Sequence, residues 1–272
     1  MRQPFSLPAA EAQPGPAVPR RVLLASALAL PALLPPGKAA AQAVRWNRLP
    51  GAAFDVGADG GQVFVIGRNP SAGGYGIYRW NGQTSGNAWD VLPGSATDIT
   101  VDRAGNPWVV NAANNIYRWN GNRFDHLPGK ATDIGAGGGQ VFVIGTDRVP
   151  GGYGIYRFNG ANGWDRVPGG AVRIAADRQG NPWVVNDRGE IFVWNRGRFD
   201  LLPGRAMDIA CGGNEVYVIG TNPLNGGFGI YRWLGTSAGQ PWQNVGGAAI
   251  RVAVDPKGLP WVVNEAGGIY KA

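Results

Sequence analysis

Cysteine, histidine, charge and long apolar runs are all scarce in this chain. Of its 272 residues one is Cys and one is His, and Asp, Glu, Lys and Arg together make up 16%. A single thiol, Cys211, cannot close an internal disulfide, so the fold must rest on a packed core, which a chain of this length can build. Cys211 has no partner His, and its repeat position reads as inner-strand filler. His126 stands alone, at a place where other copies of a repeat described below carry Arg48, Val91, Arg166, Leu201 and Asn244. Such a variable position is a solvated one. No nucleophile–base set or metal-ligand spacing emerges, so the chain is expected to bind without a cofactor and without catalysis. No basic run of five or more residues occurs, which argues against nucleic acid as a partner.

The helical 3.6-residue pattern is also missing from residue 46 onward, leaving an all-β core. Its 45 Gly and 21 Pro would suggest disorder if they lacked a period. Here they recur in register, as turn residues between strands.

Six copies of a short phrase run from Trp46 to the end, each opened by an aromatic followed by a Leu-Pro-Gly-like turn, as in Trp89-Asp-Val-Leu-Pro-Gly94. The openers Trp46, Trp89, Phe124, Trp164, Phe199 and Trp242 are spaced 43, 35, 40, 35 and 43 residues apart. A period near 40 with strand-like segments is that of propeller blades. The second copy predicts strands at 96–101, 107–111, 116–119 and 124–127, parted by turns at Asp102–Gly105, Asn111–Asn115, Asn120-Gly121 and Pro128-Gly129. Four antiparallel strands make one blade. The sixth copy lacks its fourth strand, whereas Trp46–Pro50 is an orphan one. The N-terminal strand is therefore expected at the outer edge of the last blade, closing the ring.

Residues 1–43 read as an export signal, removed to leave a propeller at 44–272. Arg20 and Arg21 precede a 13-residue apolar run, Val22 to Leu34, too short to span a membrane, and Ala41-Gln42-Ala43 is a cleavage-site pattern. The Arg pair, the long leading region and Lys38 favour the twin-arginine route. The mature chain is expected to be periplasmic or extracellular in a bacterium, monomeric, and without a membrane span. Residues 1–43 hold four basic groups and one acid, leaving 21 basic and 17 acidic residues, a net charge of +4. Eighteen of those 21 are Arg, suited to bidentate anion contacts such as phosphate or uronate.

Odd and even copies differ. Copies one, three and five carry longer segments after the second strand, at 69–76, 147–154 and 222–229, expected about 120° apart on one face together with the Leu-Pro-Gly turns. In them Tyr75, Tyr153 and Phe228 recur with Asn69, Asp147 and Asn222, an aromatic and a polar group as a glycan site needs. The same aromatics also fit a plainer account in which they fold back on the blade edge. Trp108, Trp183 and Trp261, which alternate with Phe64, Phe142 and Tyr217, read as packing between blades, as do Trp80, Trp119, Trp194 and Trp233. Arg79, Arg118, Arg157 and Arg232 point to the other side of the third strand, into a groove or into solvent. Asp55, Asp98, Asp133 and Asp208, replaced by Arg173 and Arg251 in copies four and six, suggest paired ions near the channel mouth. Asp102, Asp177 and Asp255 open Asp-x-x-Gly turns and read as turn caps rather than calcium ligands.

The phrase Trp-x-x-Leu-Pro-Gly-x-Ala, followed by Asp-Ile-x-Val, Gly-Asn-Pro-Trp-Val-Val-Asn and Ile-Tyr-Arg-Trp-Asn-Gly, resembles the tectonin repeat over residues 46–272. Copy six departs from it, with Val-Gly-Gly at 245–247. The resemblance implies a six-bladed β-propeller and a sugar-binding protein, with lipopolysaccharide or methylated glycans as the ligand class. The candidate glycan contacts are Asn69, Tyr75, Asp147, Tyr153, Asn222, Phe228, Arg79, Arg157 and Arg232. An envelope protein-interaction scaffold and a hydrolase with a channel site are the other readings.

Overall fold

The computed structural model describes residues 44–160 and 163–272. The expected leader at 1–43 lies outside the described residues. Six four-stranded antiparallel sheets follow one another in chain order. Blade one consists of Ala53–Asp59, Gln62–Ser71, Gly74–Trp80 and Trp89–Ala96, and blade two of Asp98–Val101, Pro107–Val110, Asn115–Trp119 and Phe124–Lys130. Blades three, four and five begin at Asp133, Arg173 and Asp208 and repeat the order. Blade six contributes Arg251–Val254, Pro260–Val263 and Ile269–Lys271, and its outer strand is Asn47–Leu49. Arg48 lies opposite Tyr270, so the N-terminal strand closes the ring as the repeat arithmetic requires.

The core is six apolar seams, one between each pair of neighbouring blades. Phe64, Ile66 and Ile77 of blade one meet Ile99, Val101 and Val109 of blade two in one seam. Trp108, Val110 and Ile116 of blade two meet Ile134, Val141 and Val143 of blade three in the next. Both faces of each sheet are covered, which is why the inner strands are runs of β-branched and aromatic residues rather than alternating ones. Trp108, Trp183 and Trp261 are 2%, 7% and 3% exposed, so they serve as seam filler.

Two readings of local structure need correction. The Leu-Pro-Gly phrase is not a turn between strands; it lies inside the fourth strand as a bulge. Ile116 lies opposite Leu127 and Asn115 opposite Lys130, so Pro128 and Gly129 are extra residues on the outer strand. An outermost strand tolerates a proline, because no neighbour needs its missing N–H. The long odd-copy segments are not free loops either. They lengthen the second strand to ten residues in blades one, three and five, against four in the even blades. Each extended hairpin is bulged, between Ile66 and Pro70 in blade one. The threefold alternation stands, built from strand length.

The opening aromatics latch neighbouring blades at their outer edge. Trp164 Nε1 donates to the Pro128 carbonyl at 2.8 Å, Trp242 Nε1 to Pro203 at 2.6 Å and Trp46 Nε1 to Gly246 at 3.0 Å. In each case the ring lies against the bulge glycine of the preceding blade. Gly51 has φ of +91°, and a Cβ there would stand 3.3 Å from Trp89 Nε1, so both backbone shape and close approach call for glycine.

Candidate functional site

The antiparallel strands sort the loops onto two faces. Hairpins between second and third strands open on one face, and turns between first and second strands and between third and fourth strands on the other. The third strand runs from the first face to the second. Tyr75 at its start and Arg79 near its end are therefore about 13 Å apart along an extended chain. The same holds for Tyr153 and Arg157, and for Phe228 and Arg232. The structure divides the candidate glycan contacts between opposite faces of the ring.

On the hairpin face, Tyr75, Tyr153 and Phe228 are half-buried and pack onto the seam toward the next blade. Tyr75 lies tilted against Phe54 with ring centroids 4.4 Å apart, and the Arg148 guanidinium lies 4.9 Å from the centre of the Tyr153 ring. The polar partners turn the other way. Asn222 Oδ1 accepts the Tyr231 hydroxyl at 2.9 Å, and Asp147 lies 3.9 Å from Arg166. Burial, and a hydrogen bond to the Asp147 carboxylate, hold the Tyr156 phenol above its usual range. Tyr153 and Tyr156 are three residues apart in one strand and face opposite sides. Asp147 and Asn222 thus serve Tyr156 and Tyr231, and the expected pairing with Tyr153 and Phe228 does not form. Asn69 is exposed. A 340 Å³ hollow on this face lies between the Pro93-Gly94 bulge and Asn111, Tyr117 and Phe124 of blade two.

On the opposite face, clefts open between blades where the third-strand arginines emerge. A 460 Å³ cleft between blades one and two is lined by Gln62, Arg79, Asp90, Asn106 and Trp119. The next, of 620 Å³ between blades two and three, is lined by Trp108, Arg118, Gln140, Phe158 and Asn159, with Arg157 and Asp165 at its rim. Strand register places an acid opposite three of the four arginines, and it captures two of them: Arg79 bridges Asp90 at 2.9 Å and Arg157 bridges Asp165 at 3.4 Å. Arg232 is held in a fork by Glu215 at 2.5 and 2.6 Å. Arg118 differs. Its opposite number, Asp125, is taken by Arg123 at 2.9 Å and Asn120 at 2.8 Å. Arg118 is exposed, stacks 5.1 Å from the centre of the Trp108 ring, and makes no hydrogen bond or ion pair among the described residues. Beneath it Trp108 and Phe158 meet edge to face, 5.0 Å between centroids.

The equivalent seams show what is particular to this cleft. Lys271 occupies the Arg118 position in blade six and lies over both Trp80 and Trp261, whereas blade four has Val193 there. Arg118 shares its sequence position with the other arginines, and only the hydrogen bonds that Asp125 accepts elsewhere set it apart.

The central channel gathers the first-strand charges. Asp55, Asp133 and Asp208, from the odd blades, each accept a backbone N–H of the following blade, from Ile99 at 2.9 Å, Ile174 at 2.7 Å and Val252 at 2.9 Å. Arg173 reaches Asp133 at 3.0 Å and Asp208 at 3.7 Å, and Arg251 reaches Asp55 at 3.5 Å. These are the ion pairs expected near the channel mouth. Asp98 is the exception: 8% exposed, it makes no hydrogen bond or ion pair among the described residues. Burial, with the charge of Asp55 added, pushes the Asp98 carboxyl up to about 7, and burial likewise raises Asp55 to about 7 against the pull of Arg251.

The acids of the Asp-x-x-Gly turns are structural. Asp102 Oδ1 accepts the N–H groups of Ala104 and Asn106 at 2.9 and 3.0 Å, and its Oδ2 accepts Trp108 Nε1 at 3.0 Å. Asp177 does the same for Gln179, Asn181 and Trp183, and Asp255 caps Lys257 and Leu259. His126 is exposed beside Tyr117, and Cys211 lies on an inner strand beside the channel, where burial raises its thiol well above the usual range. Among the described residues no group of three or more His, Cys, Asp or Glu is placed to hold a metal ion, and no helix is long and apolar enough to cross a membrane.

The fold has many counterparts among solved structures. A chain of the mitotic checkpoint complex aligns with a TM-score of 0.57 at 10% identity, covering 89% of this chain and 97% of that one. A structure titled YCF48 bound to D1 peptide aligns at 0.51 with 17% identity, covering 80% and 77%, and a streptogramin B lyase at 0.52 with 15%, covering 84% and 96%. Identities this low speak to the propeller alone. No curated protein matches the chain at a significant level. The model of the Tectonin domain matches residues 52–153 and 148–272, nearly the whole ring. By that match and by its six-bladed architecture, this chain belongs to the tectonin family.

Proposed function

We propose that the protein is an exported, monomeric lectin-like propeller that recognises cell-surface glycans, lipopolysaccharide among them, through clefts between blades, without a cofactor and without catalysis. The observation that carries this reading is Arg118. Its guanidinium lies over the Trp108 ring, makes no hydrogen bond or ion pair among the described residues, and lines a 620 Å³ cleft together with Gln140. A planar donor fork suits the carboxylate of a uronate-type sugar or a phosphate, and the Gln140 amide suits a hydroxyl. The Arg79 cleft offers a weaker copy, because Asp90 already holds its guanidinium, as Asp165 holds Arg157 at the rim of the Arg118 cleft. Several modest sites on one face gain strength on a dense glycan surface through effective concentration.

A glycan array tests this. Saturable binding to acidic or phosphorylated glycans, reduced about tenfold or more by Arg118→Ala, supports the reading. An empty array overturns it. The second reading, a cell-envelope protein-interaction scaffold, is favoured by Val91 and Leu201, 74% and 61% exposed on the outer strands of blades one and four. Recovery of a protein partner whose binding is lost on Val91→Ser and Leu201→Ser would select it.

A further inference from the structure

The channel ring departs from its own threefold pattern at one place. Odd blades contribute Asp55, Asp133 and Asp208, and blades four and six answer with Arg173 and Arg251. At the matching place in blade two stands Asp98, so the ring holds four carboxylates and two guanidinium groups. When all four are ionised the acids outnumber the guanidinium groups, and an unmatched charge held largely out of water is costly. Asp98 lines a 60 Å³ space in the channel, together with Asp55, Asp133 and Arg251. That space is on the scale of a small planar ion such as a guanidinium head group. It leads toward the opposite mouth, where a 510 Å³ hollow is lined by Asp59, Arg103, Asp177 and Arg178.

We propose that the channel is a binding site for a guanidinium group, held by Asp98 where the repeat would place a third arginine. Three features of the ring support it. Asp98 is more than nine-tenths buried, lines the channel and makes no hydrogen bond or ion pair among the described residues, the charges of Arg173 and Arg251 acting on it only from farther off. Blades four and six show that a guanidinium at this level is what the neighbouring odd-blade acids accept. No three acids come close enough to chelate a metal, so a guest that spreads its charge and donates along a plane suits the ring better than a bare ion. The site is separate from the inter-blade clefts and stands independently of the glycan reading.

The test is thermal unfolding of the whole protein at about pH 8, above the Asp98 titration. Methylguanidinium chloride and the blocked peptide acetyl-Gly-Arg-Gly-amide are titrated in parallel, against KCl at matched ionic strength. The site predicts a saturable rise in Tm with methylguanidinium beyond that with KCl. Asp98→Asn should weaken the response about tenfold or more. Asp98→Arg, which supplies the missing group from the chain, should abolish it. A matching response to the peptide identifies an arginine side chain as the source, and its absence a free small base; both support the site. Should Asp98→Arg fail to fold, Asp98→Asn decides alone. No rise beyond that of KCl, or an undiminished rise in Asp98→Asn, overturns the proposal.

Discussion

Trp89 Nε1 donates to the carbonyl of Pro50 at 2.8 Å, and this one bond spans the place where the first blade meets the strand that closes the last. Three other blades repeat the arrangement with Trp164, Trp242 and Trp46, whereas Phe124 and Phe199 keep the ring and lack the donor. Trp89→Phe should therefore fold and lose about 1 kcal/mol, the net value of one hydrogen bond, read as a lower midpoint in denaturant. Removing residues 44–51 takes away the bond, the Asn47–Leu49 strand and buried Leu49 together, and should lower the melt far more. An unchanged melt in the truncated protein would falsify the closure as a source of stability.

The bulge glycines answer to backbone shape. Gly94 has φ of +91° with Phe124 Cδ2 3.6 Å from where a Cβ would sit. Space is adequate there and conformation is not, so Gly94→Ala should cost about 1 kcal/mol through strain alone. Gly247, whose added Cβ would approach Trp46 Nε1 to 2.8 Å, should lose more as Ala. Equal chemical denaturation of the two variants would contradict this ordering.

Arginines in equivalent positions should separate by function. Arg232→Ala strips a two-bond partner from Glu215 and should lower stability by about 1 kcal/mol. Arg118→Ala breaks no ion pair and should leave stability within about 0.5 kcal/mol while weakening glycan binding. Loss of binding in Arg232→Ala with none in Arg118→Ala would move the site to another cleft.

Stability should fall as pH rises toward neutrality. Asp55 and Asp98 titrate near 7 when folded and near 3.8 in a free chain. Between those values the folded state keeps protons that the unfolded state has released, so raising the pH favours unfolding. The acids facing them, Asp133 and Asp208, are raised by burial too and add to the same trend, and the facing cations are Arg173 and Arg251. A loss of up to about 4 kcal/mol for each of the two acids is expected over the window, and Asp98→Asn should lessen it while leaving the share of Asp55. Surface acids such as Asp90 and Asp200, which accept hydrogen bonds from Arg79 and from Asn195 and Arg198, are held below the usual carboxylate range. Their stabilisation is lost only in more acid solution, as pH falls through their lowered values. Denaturant midpoints from about pH 5 to 8 settle the sign; a rise over that range would refute it.

Much of the ring was legible because its signals are local and repeated. Spacing of the aromatic openers, the Asp-x-x-Gly caps and the missing sixth outer strand each depend on a few adjacent residues. What stayed hidden depends on register. Pro-Gly looks the same in a turn as in a bulge, and only pairing with Asn115 and Ile116 tells them apart. The segments at 69–76 and 147–154 contain the glycines of loops, yet their ends pair as strands. Tyr75 and Arg79 read as neighbours in sequence, but an extended strand carries them to opposite faces. Arg118 looked like Arg79 until Asp125 was seen bonded elsewhere.

The carboxylates of Asp55, Asp133 and Asp208 each bind the main chain of the blade that follows, so blades are joined as one-two, three-four and five-six. Severing the polypeptide after an even-numbered member would leave every such couple whole. Severing it after an odd one would strand a buried carboxylate and an amide together. Fragments of the first kind are thus the natural building blocks for reassembly in trans, and the wheel is more faithfully described as three doublets than as six spokes.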